Sequence, residues 1–201
     1  MKKVISALLV ASSFMLLTAC DAGTAAQIGD TKISINTVQS RIGEINAERK
    51  KFDTSQMQLS VGEELNRTEV RFLVISEIFK KLAVKSGIKI TQGMKDAKKA
   101  DIFSALGGSD QIGQALVSAQ MAPADFDLYI EAVLISDQLS KNAIAAGVAE
   151  SEVGNAVQQL VLALTKTEKV KINPQFGYWD PNGADLVSFD SAGTAVKVKT
   201  A

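Results

Sequence analysis

Residues 66–86 read NRTEVRFLVISEIFKKLAVKS, and their pattern decides the fold. At 100° per residue, Phe72, Ile75, Phe79, Leu82 and Ala83 form one charge-free arc. Val70, Leu73, Val74 and Ile78 make a second apolar face, interleaved with Glu77 and Lys81. Asn66 or Thr68 suits the start as a cap, and Gly87 suits the end. A surface helix of a globular protein needs one apolar stripe, and this one carries nearly two. It therefore either runs through the centre of the molecule or shows apolar surface to another molecule.

Downstream, Ile88-Lys89-Ile90 is a short connector, and Thr91 caps a predicted helix over 92–106 that Gly107-Gly108 stops. A short helix is predicted over 110–119. Pro123 is placed for the first turn of a long helix that reaches Ala146. This helix is also two-sided: Phe126, Tyr129, Ile130 and Val133 lie on one side, Leu128, Ile135 and Leu139 on the other. A last helix, 150–165, carries the stripe Val153, Val157, Leu160, Val161 and Leu164. Upstream, residues 52–64 read as a loop, and Ser34 or Asn36 caps a helix that reaches Lys50, with Val38, Ile42 and Ile45 on one side. Gly29-Asp30 sits between two β-like pieces over 26–35, a small hairpin. Lys169 to Ile172 alternates like a strand, Asn182-Gly183 signals a turn, and 186–189 reads as one more short strand. The expected fold is mainly α. A lone hairpin is marginal in water, so the C-terminal strand is expected to pair with the N-terminal one.

The N-terminus has the charged start, short apolar run and small residues of an export signal: Lys2 and Lys3, then Val4 to Leu17. Leu17-Thr18-Ala19-Cys20 resembles the lipobox of bacterial lipoproteins. The resemblance implies cleavage after Ala19 and acylation of Cys20. The chain then divides into a signal peptide (1–19), a lipidated tether (20–27), a helical domain (28–182) and a short strand with a polar tail (183–201). The full chain carries 22 basic and 22 acidic side chains, and loss of Lys2 and Lys3 gives a mature charge of 20 − 22 = −2. That balance offers no electrostatic footprint for nucleic acid. The chain has no histidine and one cysteine, which removes the commonest general base and metal ligand and leaves an acylated domain without disulfides. No cofactor or metal is expected.

The order of pieces resembles the N-terminal chaperone domain of SurA-type and PrsA-type folding factors. The resemblance rests on the hairpin over 26–33, on Lys81 to Thr91 (KLAVKSGIKIT), on Ser118 to Tyr129 (SAQMAPADFDLY) and on Lys171 to Asp180 (KINPQFGYWD), with Gln175 where arginine is usual. It implies an extracytoplasmic protein, held to the cell membrane by its lipid, that binds unfolded or newly exported polypeptides without ATP. Relatives of this kind often carry a parvulin prolyl isomerase domain with active-site histidines. These residues hold neither, so no enzymatic activity is expected. The apolar face expected to meet clients comprises Phe72, Val74, Ile78 and Phe79 with Phe126, Tyr129, Ile130 and Val133, residues that would equally serve as core. The alternative function is a structural or adaptor lipoprotein that docks one dedicated protein partner.

Other constellations read as structural. Ser86-Gly87-Ile88-Lys89 fits Ser-x-x-Lys, but Gly87 breaks the helical turn the chemistry needs. Asp180 to Asp185 lacks the bidentate Glu of a calcium loop, Ser191 standing in its place, and reads as a turn. Glu63-Glu64 and Asp125/Asp127 read as solvated helix starts. Phe176, Tyr178 and Trp179 read as an aromatic group closing the core. With labelled palmitate in a bacterial host, the full chain should give a labelled, processed product and Cys20→Ser an unlabelled precursor. A labelled Cys20→Ser product would overturn the lipid assignment.

Overall fold

A computed structural model describes residues 23–189, so Cys20, the signal segment and the tail beyond Phe189 lie outside the described residues. Strands β1 (Thr24–Ile28) and β2 (Thr31–Ser34) form the N-terminal hairpin. They pair antiparallel with Gln27 opposite Lys32, and a bulge lies between Thr24 and Ala26. Gly29 turns the hairpin at φ +57°. Its N–H donates to the Glu168 carbonyl at 2.7 Å, and a side chain here would meet the Glu168 carboxylate, so both conformation and proximity call for glycine. β3 (Lys171–Ile172) pairs antiparallel with the other edge of β1, giving the order β2-β1-β3. The two ends of the domain thus close in one sheet. Asn173 secures the junction: its N–H donates to the Ala25 carbonyl and its Nδ2 to the Thr24 carbonyl.

Six α-helices stand among the described residues. α1 (Ile35–Arg49) starts at Ser34, whose hydroxyl accepts from the Thr37 N–H. α2 (Gly62–Lys85) crosses the middle of the molecule and touches α1, β1, two later helices and the strand over 185–187. α3 (Gln92–Leu106) is capped by the Thr91 hydroxyl and ended by Gly107 at φ +85°. α4 (Ile112–Ser118), α5 (Phe126–Ala145) and α6 (Val153–Glu168) follow. A turn over 123–125 places Pro123 immediately ahead of α5. β4 (Tyr178–Asp180) and β5 (Asp185–Val187) form a second, two-stranded sheet.

Of the two roles open to α2, the central one is what the fold uses. Val70, Val74, Ile78 and Leu82 join Ala25, Ala26 and Ile28 of β1, Ile135 and Leu139 of α5, and the α6 stripe in one core. No helix among the described residues is long and apolar enough to cross a membrane.

Some elements depart from expectation. α2 begins at Gly62, a turn before Asn66. Leu65 is buried with Ile45 and Ala122, and Glu63 and Glu64 suit the positive end of the helix dipole. Leu160 faces solvent, while Val153, Val157, Val161 and Leu164 are buried. The expected boundary at 182 falls inside the β4–β5 hairpin, and Ala184 and Leu186 belong to the core. Of the aromatic group, Phe176 is buried and Trp179 packs on the core, but Tyr178 is exposed, tilted against Phe189 at 5.4 Å.

Gly177 sits at φ +121°, and a Cβ there would collide with the Val187 carbonyl oxygen, a backbone atom. Gly177→Ala should therefore cost more than Gly29→Ala, whose clash is with a movable side-chain end: about 3 kcal/mol against about 1 kcal/mol in urea unfolding. Equal losses would contradict the tight β4–β5 junction.

Candidate functional site

The expected client-binding face does not form one surface. Val74, Ile78 and Ile130 are wholly buried, which corrects their assignment to a groove. The reason is mutual: α2 and α5 lie against each other and bury the stripes that each would otherwise show. Phe72 and Phe79 are half-buried against the core, and Val133 is half-buried on α5. Phe126 and Tyr129 remain, and these two line a cleft.

That cleft encloses about 220 Å³ between α3, α4 and the first turns of α5. Ile102 and Leu106 of α3 form one wall, and Ile112, Ala115 and Leu116 of α4 form another. Ala119 and Met121, in the link from α4 to α5, form the floor shared with a second cleft of about 80 Å³ lined by Thr68, Glu69 and Phe72. Phe103 of α3 stacks on Phe126 with ring centres 6.1 Å apart. The link is held from behind: the Gln120 side-chain oxygen accepts from the Ser60 N–H at 2.6 Å and from Arg49 Nη2 at 3.0 Å.

A buried charge cluster stands beside this link. Asp125 is 0 % exposed and Glu69, on α2, is 3 % exposed. Arg41 of α1 reaches Asp125 at 2.9 Å through Nε and Glu44 at 3.0 Å through Nη1, and the other Glu44 oxygen accepts from the Ala124 N–H at 3.1 Å. This corrects the reading of Asp125 as a solvated helix start; Asp127 is exposed and pairs with Lys99 at 2.5 Å. Burial, and then the neighbouring Asp125 charge, push Glu69 up to about 8. Burial also raises Asp125, opposed by Arg41. Arg41 Nε meets Asp125 as an ion pair without hydrogen-bond alignment, so with both groups ionised the Asp125 oxygens and Glu69 Oε1 would lack an aligned hydrogen donor. A proton kept on Glu69 supplies one to Asp125, leaving a charged Arg41–Asp125 pair beside a neutral acid.

Sequence reasoning missed Glu69 and the α3–α4 wall. The signal for Glu69 was its spacing: Leu65, Glu69, Leu73 and Ser76 fall on one line of α2, all buried, so a carboxylate interrupts a core stripe. For the wall the signal was weak, because no α3 residue is fully buried and Ile102, Phe103 and Leu106 are half-buried.

A wider depression of about 500 Å³ lies between α2 and α6, but Glu77, Lys80, Lys81 and Lys85 line it and Lys81 pairs with Glu168 at 3.2 Å, a solvated face. Ser86 and Lys89 do not share a helical turn. Gly87 is at φ +65°, and the Ile88 N–H donates to the Ala83 carbonyl in a helix-ending motif. The Asp180 carboxylate is engaged by the N–H groups of Asn182 and Gly183. No cluster of three or more metal-ligating side chains occurs among the described residues. Comparison with protein-family models, with curated proteins and with solved structures finds no match to this chain.

The buried acid sets a pH dependence. Glu69 binds its proton more tightly folded, near 8, than at its ordinary value of 4.5. The stabilisation it brings is complete below about 4.5 and is lost as pH rises through about 8. Urea unfolding at about pH 9 should show lower stability than at about pH 6. Glu69→Gln, whose amide donates in place of the acid proton, should remove most of that difference. An undiminished difference in Glu69→Gln would assign the effect to another group.

Proposed function

We propose that this chain is a lipid-anchored chaperone on the extracytoplasmic side of the cell membrane, binding unfolded or newly exported polypeptide without ATP or bond-making chemistry. The observation that carries this reading is the open apolar cleft between α3, α4 and α5, lined almost wholly by aliphatic and aromatic side chains. Weak, general binding of unfolded segments calls for adaptable apolar area with few directional hydrogen bonds, and Ile112, Leu116, Met121, Phe126 and Tyr129 provide it. The lipobox-like Cys20 supports a position at the membrane surface, where exported chains emerge. Several acyl chains hold a protein there far better than one. The resemblance to SurA-type domains points the same way, and the absence of histidine favours binding over catalysis.

The test is suppression of aggregation of an unrelated, chemically unfolded protein by the full chain in detergent micelles. Paired changes Ile112→Ser and Tyr129→Ser should lower suppression severalfold while costing about 1 kcal/mol of stability each, because both sites are partly exposed. Ile78→Ala, in the core, should cost about 3 kcal/mol and act on suppression only through unfolding. Unchanged suppression by the paired variant would overturn the cleft as the binding site. Binding to a single saturable partner, with no suppression, would favour the adaptor reading.

A further inference from the structure

We infer that α3 is a built-in pseudo-client, covering on α5 a surface that fits polypeptide segments in which basic residues are followed by apolar ones. The inference rests on the chaperone reading of the cleft and adds its occupant and its control. No α3 residue is fully buried; Ile102, Phe103 and Leu106 are half-buried, and Ile102 and Leu106 line the cleft. Its hold on α5 is a set of ion pairs: Lys95 with Glu131 at 2.6 Å, Lys99 with Asp127 at 2.5 Å and Lys98 with Asp137 at 3.4 Å. Beyond them Phe103 stacks on Phe126, and Ile102 and Leu106 complete the cleft wall.

These contacts are of the kind that opens locally. Ion pairs between partly exposed side chains contribute little each and weaken with salt. The exit from α3 is Gly107 at φ +85° and Gly108 at φ +143°, with open space around Gly107, while Ile88 and Ile90 anchor the entry on the core. When α3 lifts, Asp127, Glu131 and Asp137 lose their lysines beside an apolar cleft. A segment carrying Lys or Arg ahead of Ile, Phe or Leu at helical spacing restores both sets of contacts. Charge complementarity thus selects a basic-apolar segment over an acidic or uniformly apolar one.

The experiment uses the full chain in detergent micelles and two fluorescent peptides: one with the sequence of residues 92–106, the other with its lysines changed to glutamate. Lys95→Gln with Lys99→Gln loosens α3, and this variant should bind the first peptide about fivefold more tightly than the parent and the second hardly at all. Adding Asp127→Asn and Glu131→Gln should abolish the preference between peptides. In the unaltered chain, hydrogen exchange of α3 should speed up several-fold between about 0.05 M and 0.5 M salt while α2 stays protected. Equal affinity of the parent and loosened chains, or equal affinity for the two peptides, would overturn the inference, as would salt-independent exchange of α3. If the parent suppresses aggregation and these results fail, the chaperone reading stands without the pseudo-client. If peptide exchange occurs and no chain suppresses aggregation, the surface stands and the chaperone reading falls.

Discussion

The structure depends on one act of burial: α2 against β1. The strand and the helix seal each other from water, since Ala25, Ala26 and Ile28 on one side and Val70, Val74 and Ile78 on the other are wholly inaccessible. Each buried aliphatic side chain contributes on the order of 2 kcal/mol, so this contact is where the domain gains its cohesion. Everything else is placed relative to it. β1 has two edges, which the adjoining β2 and the distant β3 take up. α2 has two faces, so α5 and α6 pack beside it. Without a disulfide among the described residues, this packing and the β1–β3 pairing tie β1 to the C-terminal elements.

The same helix explains why the candidate site lies where it does. Packing is dense around the middle and C-terminal half of α2. Toward its N-terminal half the apolar line is broken by Glu69, and the buried Asp125–Arg41 pair sits opposite. A buried ion pair is costly to desolvate and sensitive to geometry, so it holds α1, α2 and the start of α5 in one arrangement while contributing little net cohesion. The clefts open on this polar seam, and the two acids are thereby near the site without lining its larger, apolar part. Their physical role is positional: Asp125 immediately precedes Phe126, which lines the cleft.

α3 shows the opposite economy. It is regular, well capped and ended by glycine, yet its attachment is mostly ionic and peripheral. Helix formation and helix docking are separate matters here. Caps and a terminal glycine set the ends of the helix, whereas its docking rests on the half-buried Ile102, Phe103 and Leu106 and on three lysine ion pairs.

Local physics made most of the fold legible. The 3.6-residue period located all the long helices, Thr91 and Gly107 marked both ends of α3, and Gly29-Asp30 marked the hairpin turn. The mainly helical class and the closure of β3 on β1 followed from periodicity and from the weakness of a lone hairpin. The candidate site was legible only in part. Phe126 and Tyr129 reach the cleft, but Val74, Ile78 and Ile130 looked the same in sequence and are core. An apolar side chain carries no mark saying whether another helix or solvent will cover it; that depends on which faces the topology brings together. Asp125 and Asp127, two positions apart at one helix start, illustrate the same limit, one sealed against Arg41 and the other paired with Lys99 on the surface. The sequence by itself determined which segments are helices and strands and most of their ends, because capping, turn chemistry and periodicity act over a few residues. Only the tertiary structure decided which apolar faces became core, which acid was buried and where a cleft remained, because those outcomes depend on surfaces contributed by segments far apart in the chain.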